Sequence, residues 1–135
     1  MSAQPIEERM KRVLIAEDDP LLQRLFTEAF TNEGYFVETS PNGREAYQRI
    51  VLDVGFFDLL VTDHQMPHVA GSDLVQKIRS RGFKGHIIVV SGHREAFAPA
   101  TYQGLNVAHL VAKPFQVAKL MELVRGLDEP KKPDA

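Results

Sequence analysis

Five short apolar runs alternate along the chain with longer stretches whose apolar residues recur at i, i+3 and i+4. Short runs rich in β-branched residues read as buried strands, and the periodic stretches read as amphipathic helices. Strands are expected over about Arg12–Ala16, Tyr35–Thr39, Phe57–Thr62, His86–Val90 and Val107–Ala112. Asp19 reads as the N-cap of the first helix, with Pro20 at the first helical position, where its missing N–H costs nothing. Leu22, Leu25, Phe26, Ala29 and Phe30 form that helix's apolar stripe, and Gly34 stops it. Ser40-Pro41-Asn42-Gly43 turns into a second helix carrying Ala46, Tyr47, Ile50 and Val51. Gly71-Ser72 leads into a third, with Leu74, Val75 and Ile78. A fourth is expected within Glu95–Gly104, where Pro99 must start a short helix or kink a longer one. Val117, Leu120, Met121 and Val124 mark the last.

This alternation predicts an α/β fold: a doubly wound, five-stranded parallel sheet between two layers of helices. Near-continuous apolar strands imply that both sheet faces are covered. Crossovers should be right-handed. With 135 residues and no repeat or linker, the chain suits one domain. That domain is expected over 11–128, after a polar extension at 1–10 and before a polar tail at 129–135.

Composition narrows the function. An apolar fraction of 44% and a charged fraction of 25% are those of an ordinary soluble globule. A net charge of -2 without a basic stripe argues against direct nucleic-acid binding. The absence of cysteine excludes a disulfide scaffold, a thiol nucleophile and a Cys-ligated metal. Met1–Arg12 holds no signal-peptide core, and no apolar run approaches the roughly 20 residues of a membrane span. The expected setting is the cytoplasm.

The chemistry gathers at strand ends. Asp63 closes the third strand and opens the loop His64-Gln65-Met66-Pro67. The first strand runs into Glu17-Asp18-Asp19, the fourth into Ser91, and the fifth into Lys113-Pro114. In an open α/β sheet the carboxyl ends of the strands are where ligands bind. If the first and third strands are neighbours, Glu17, Asp18 and Asp63 converge, and three such carboxylates repel unless a cation joins them. Oxygen donors without cysteine favour Mg²⁺ or Mn²⁺ over zinc, with the Gln65 backbone carbonyl as a further ligand. Asp19 alone is accounted for as a helix cap. Lys113 can reach Asp63 as a point charge, and Pro114 makes the intervening peptide bond one where a cis form is cheap. A carboxylate beside a divalent cation, an ammonium and a hydroxyl suits in-line phosphoryl transfer, with Asp63 as nucleophile. No G-x-x-x-x-G-K-[ST] or G-x-G-x-x-G loop is present, so the phosphoryl group must arrive already activated on another molecule.

These residues, in this order, resemble the receiver domain of two-component response regulators, of the chemotaxis-type single-domain kind. The likeness covers Lys11 to Leu127: Val13-Leu14-Ile15-Ala16-Glu17-Asp18, Asp63 with Met66-Pro67 and Gly71, Val89-Val90-Ser91, and Lys113-Pro114-Phe115. The resemblance implies a flavodoxin-like three-layer sandwich with strand order 2-1-3-4-5, an order that the general rule for this architecture already gives for a receiver. It implies Asp63 as phosphoacceptor from the phosphohistidine of a histidine kinase or phosphotransfer protein. It implies Glu17 and Asp18 as metal ligands, Lys113 as phosphate partner and Ser91 as switch hydroxyl. It also implies output through the fourth helix, fifth strand and fifth helix, with an effector or a second copy as partner. The family usually has Tyr or Phe three residues before the lysine, and here that position is Leu110. Gln65 and His93 occupy positions that tune phosphoryl lifetime in the family, and Gly92 follows Ser91.

The competing readings are a pseudo-receiver that docks partners without phosphorylation and an aspartyl phosphatase. The phosphatase pattern D-x-D-x-[TV] does not match Glu17-Asp18-Asp19-Pro20-Leu21. His64 and His68 flank Pro67 in a loop and read as ordinary loop residues. His86 and His109 read as packed or edge residues. Phe97 and Tyr102 are open between core packing and a docking surface.

Overall fold

The described residues, 10–127 of a computed structural model, run β1 (Arg12–Ala16), α1 (Pro20–Asn32), β2 (Phe36–Ser40), α2 (Gly43–Leu52), β3 (Leu59–Asp63), α3 (Gly71–Ser80), β4 (His86–Ser91), β5 (His109–Ala112) and α4 (Val117–Gly126). The extension expected at 1–10, apart from Met10, and the tail at 129–135 lie outside them. The sheet order is β2-β1-β3-β4-β5, and every pairing is parallel. This is the doubly wound order that the resemblance implies.

Period-two alternation divides the core in two. Leu14, Ala16, Leu60, Ile87 and Val89 face α2 and α3, where Ala46, Ile50, Leu74, Val75 and Ile78 complete one cluster. Val13, Ile15, Leu59, Val61, Ile88 and Val90 face α1 and α4, where Phe26, Phe30, Leu120, Met121 and Val124 complete the other. Each fully buried Phe or Leu contributes about 1.5–3 kcal/mol relative to exposure. Leu25, although on the apolar period of α1, stays 44% exposed.

The helix starts follow local chemistry. The Asp19 side chain accepts the Leu21 amide hydrogen at 2.9 Å, and Pro20 begins α1. Asn42 caps α2 reciprocally: its Oδ1 accepts from Glu45 N at 2.8 Å, and its Nδ2 donates to Glu45 Oε2 at 3.0 Å. Gly34, at φ +94°, takes the left-handed turn after α1.

The expected fourth helix does not form. Arg94–Phe97 makes one 3₁₀ turn, and residues 98–108 are turns and irregular backbone. Pro99 breaks the segment rather than starting or kinking a helix. It has no N–H to continue the ladder, and its ring would meet the carbonyl four residues back. Ala98 before it is extended at φ -65°, ψ 139°. Gly104 and Asn106 then both take positive φ. The expectation that both sheet faces are covered therefore fails at β5, where Leu110 is 38% exposed. Strand bounds also shift: β3 starts at Leu59 and β5 at His109, because the residues before them serve as connecting turns.

Candidate functional site

Register brings the chemistry to one edge. Thr62 lies beside Ala16 and Asp63 beside Val90, so the ends of β1, β3 and β4 are level. Glu17, Asp18 and Asp63 each offer a carboxylate oxygen within 4.8 Å of the others, the only such acidic or histidine cluster among the described residues. Glu17 and Asp63 are buried, whereas Asp18 faces solvent. Lys113 Nζ donates to Asp63 Oδ2 at 2.7 Å and lies 3.7 Å from Glu17 Oε1. The Lys113–Pro114 bond is cis. The Gln65 amide donates to Asp63 Oδ1 at 3.3 Å.

Glu17 is electrostatically burdened. Its Oε2 accepts the Asp19 amide hydrogen at 3.1 Å, but its buried Oε1 has no hydrogen-bond partner. Lys113 is within ion-pair range of that oxygen but beyond hydrogen-bond length. Burial raises the Glu17 carboxyl to about 7, and the Asp63 charge adds to the rise. The Asp19 amide and Lys113 oppose it. For Lys113, burial pulls the ammonium down, but the Asp63 hydrogen bond and the charges of Asp63 and Glu17 outweigh it, so the net shift is upward. A buried carboxylate oxygen without a hydrogen-bond partner, on one of three clustered acids, fits a hard divalent cation, which the all-oxygen donor set also favours.

Ser91 is buried at the tip of β4, one residue past the partner of Asp63. Its hydroxyl oxygen accepts the His93 amide hydrogen at 2.9 Å, and its carbonyl accepts from Lys113 N at 2.8 Å. Gly92 and His93 are exposed.

The sequence reading missed two side chains. His64 is buried, not an ordinary loop residue, and its Nδ1 shares a hydrogen bond of 2.7 Å with the Tyr102 hydroxyl. Tyr102 thus resolves to core packing, while Phe97 is 39% exposed. Arg79 is half-buried and donates to four backbone carbonyls, those of Phe83, Gly85, Leu105 and Asn106, each at 2.9 Å. Neither partnership has a periodic or motif signal. His68 and His86 are exposed and His109 is half-buried. No helix among the described residues is long and apolar enough to cross a membrane.

A family model described as the response regulator receiver domain matches residues 13–125, and the chain belongs to that family of two-component signalling domains. Among its relatives, the response regulator receiver protein CpdR of Brucella abortus is 30% identical over 118 residues, covering 87% of this chain and 97% of that one. The response regulator TrrA of Thermotoga maritima, solved in complex with Mg²⁺-BeF, superposes with a TM-score of 0.76 at 29% identity, covering 87% of this chain and 99% of that one. A CheY-like receiver domain protein from Methanospirillum hungatei shares the fold, with a TM-score of 0.79 at 23% identity over 87% of this chain and 93% of that one.

Proposed function

We propose that this chain is a phosphorylation-controlled receiver whose phosphoacceptor is Asp63. The observation that carries the reading is the buried Oε1 of Glu17, without a hydrogen-bond partner, on a residue of the same acidic cluster as Asp63. Such an arrangement is costly unless a cation occupies it. Glu17, Asp18, Asp63 and the Gln65 carbonyl are the proposed ligands of Mg²⁺, and Mn²⁺ suits the same donors. Bound there, the ion would supply positive charge to the phosphoryl oxygens.

The donor is a phosphohistidine on a histidine kinase or phosphotransfer protein. One Asp63 carboxylate oxygen forms a bond to phosphorus as the phosphorus–nitrogen bond breaks, and the bonding pair leaves on the imidazole. Lys113, already on Asp63 Oδ2, places its ammonium beside the incoming charge. The Ser91 hydroxyl oxygen accepts from His93, and its own hydrogen has only the distant His93 carbonyl, at 3.5 Å. That hydrogen is free to turn to a phosphoryl oxygen. The chain is a signalling domain of the cytoplasm rather than a turnover enzyme, apart from slow loss of its own phosphoryl group. Residues 11–128 form the receiver unit. Output runs through residues 92–108, β5 and α4 to an effector or a second copy.

Incubation with Mg²⁺ and a small phosphodonor, read by intact mass, tests this. The expected result is a gain of one phosphoryl group that disappears in Asp63→Asn. No gain in the unmodified chain would favour a docking module that works without phosphorylation.

A further inference from the structure

The segment between β4 and β5 takes the place of a helix, and it is held down at few points. Ala96 is fully buried, and Tyr102 is buried. Arg79 grips the carbonyls of Leu105 and Asn106, and Ala108 N donates to Ile87 O at 2.8 Å. Between the first and last of these, Phe97, Ala98, Pro99 and Ala100 are exposed. Tyr102 is therefore the mid-segment attachment, and what its hydroxyl touches is the residue after the proposed phosphoacceptor. His64 Nδ1 lies 2.7 Å from it, and the two rings meet edge to face with centroids 5.7 Å apart.

The His64 backbone is clamped on both sides. Its N–H donates to Val90 O at 3.0 Å, at the tip of β4, and its carbonyl accepts from Gly71 N at 2.7 Å, at the start of α3. Gly71 keeps the space open, since a Cβ there would lie 2.9 Å from the Tyr102 hydroxyl oxygen. A shift of the Asp63 loop or of the β4 tip thus moves His64, and His64 can move Tyr102. Leu110, exposed and without a ring or hydroxyl, has no comparable connection to the site.

We infer that the His64–Tyr102 hydrogen bond is a coupling element that carries the state of the Asp63 site into the middle of residues 92–108 and so sets the exposed surface around Phe97. This rests on the phosphoacceptor reading. Two links set the path of the segment: at its start the chain itself with the Ser91–His93 hydrogen bond, and in its middle the hydrogen bond at Tyr102, while its far end runs on through β5 to Lys113. The first governs residues next to Ser91. The second governs residues 97–104, from the last residue of the 3₁₀ turn onward. Two discrete arrangements of this bond are what a population shift requires.

The test uses the full chain, with Mg²⁺ and beryllofluoride as the phosphoryl stand-in and backbone amide NMR as the readout. Tyr102→Phe removes only the hydroxyl, and denaturant unfolding checks that it folds. It is expected to take up beryllofluoride and to keep the amide shifts of Ser91 and Gly92, while losing most of the shifts of residues 97–104. His64→Phe, which keeps a ring, is expected to do the same, and the double variant to lose no more than either single. Wild-type-like shifts over residues 97–104 in Tyr102→Phe, or additive losses in the double variant, would overturn the coupling and leave the phosphoacceptor reading intact. Failure of the unmodified chain to respond at all would instead remove the reading on which the coupling stands.

Discussion

Lys113 lies between two acids that need it differently. It hydrogen-bonds Asp63, and it is the only cation shown within ion-pair range of Glu17 among the described residues. On the proposed reading, nucleophilic attack needs Asp63 ionised and the phosphorus approachable, and neither requires the lysine itself. Its side chain is about a quarter exposed, and a charge so placed is worth on the order of 1 kcal/mol, or less than about tenfold in rate. Lys113→Ala should therefore still gain phosphoryl mass but lose the phosphorylation-dependent change in amide spectra or partner binding. A lysine-free chain with the full change would show that the ammonium only neutralises the resting site. Glu17, Asp18, Asp63, Ser91 and Lys113 were legible because each interrupts or ends an apolar run, and strand ends of a doubly wound sheet meet at one edge. His64 and Tyr102 were not, because a hydrogen bond across 38 residues leaves no periodic trace.

At the scale of elements, the expected Asp19-Pro20 cap starts α1, and the expected Ser40–Gly43 turn before α2 contains the Asn42 that caps it with Glu45. The segment after β4 reads as helical by composition, yet a proline in its middle and positive φ at Gly104 and Asn106 outweigh that preference. Side-chain attachments decide its path instead: Tyr102 into the core and Asn106 onto Arg79. Gly71 is where this path meets the acidic edge. A Cβ there would come within 2.5 Å of the Asp63 carbonyl oxygen and 2.8 Å of His64 Cα, both of them backbone atoms that cannot rotate away. Gly71→Ala should destabilise the fold by about 1–3 kcal/mol, as overpacking does, and slow phosphoryl uptake by displacing the Asp63 loop. Denaturant unfolding and the rate of mass gain measure the two effects. An unchanged unfolding midpoint would mean that the start of α3 yields without strain.

Taken as a whole, the molecule sets two apolar clusters against opposite faces of one sheet and leaves its acids at the carboxyl edge, so the site is built at the expense of folding stability. Glu17 makes that opposition measurable. Its carboxyl, ordinarily near 4.5, is raised to about 7 by burial and by Asp63, so the folded chain holds this proton more tightly than the unfolded chain does. The stability from this group is therefore fully present below about 4.5 and is lost as pH rises through about 7. The loss is on the order of 3 kcal/mol. The proposed divalent cation would act in the opposite sense, because it would bind the ionised acids of the folded state only and stabilise by mass action. Urea unfolding without divalent cations should show the midpoint falling between pH 5 and pH 8. Added Mg²⁺ should restore it strongly at pH 8 and little at pH 5. Glu17→Gln should flatten the metal-free slope, since its amide cannot ionise. A metal-free midpoint that rises over this range, or a slope that survives in Glu17→Gln, would place the burdened carboxylate elsewhere and remove the electrostatic reason for a cation at this edge.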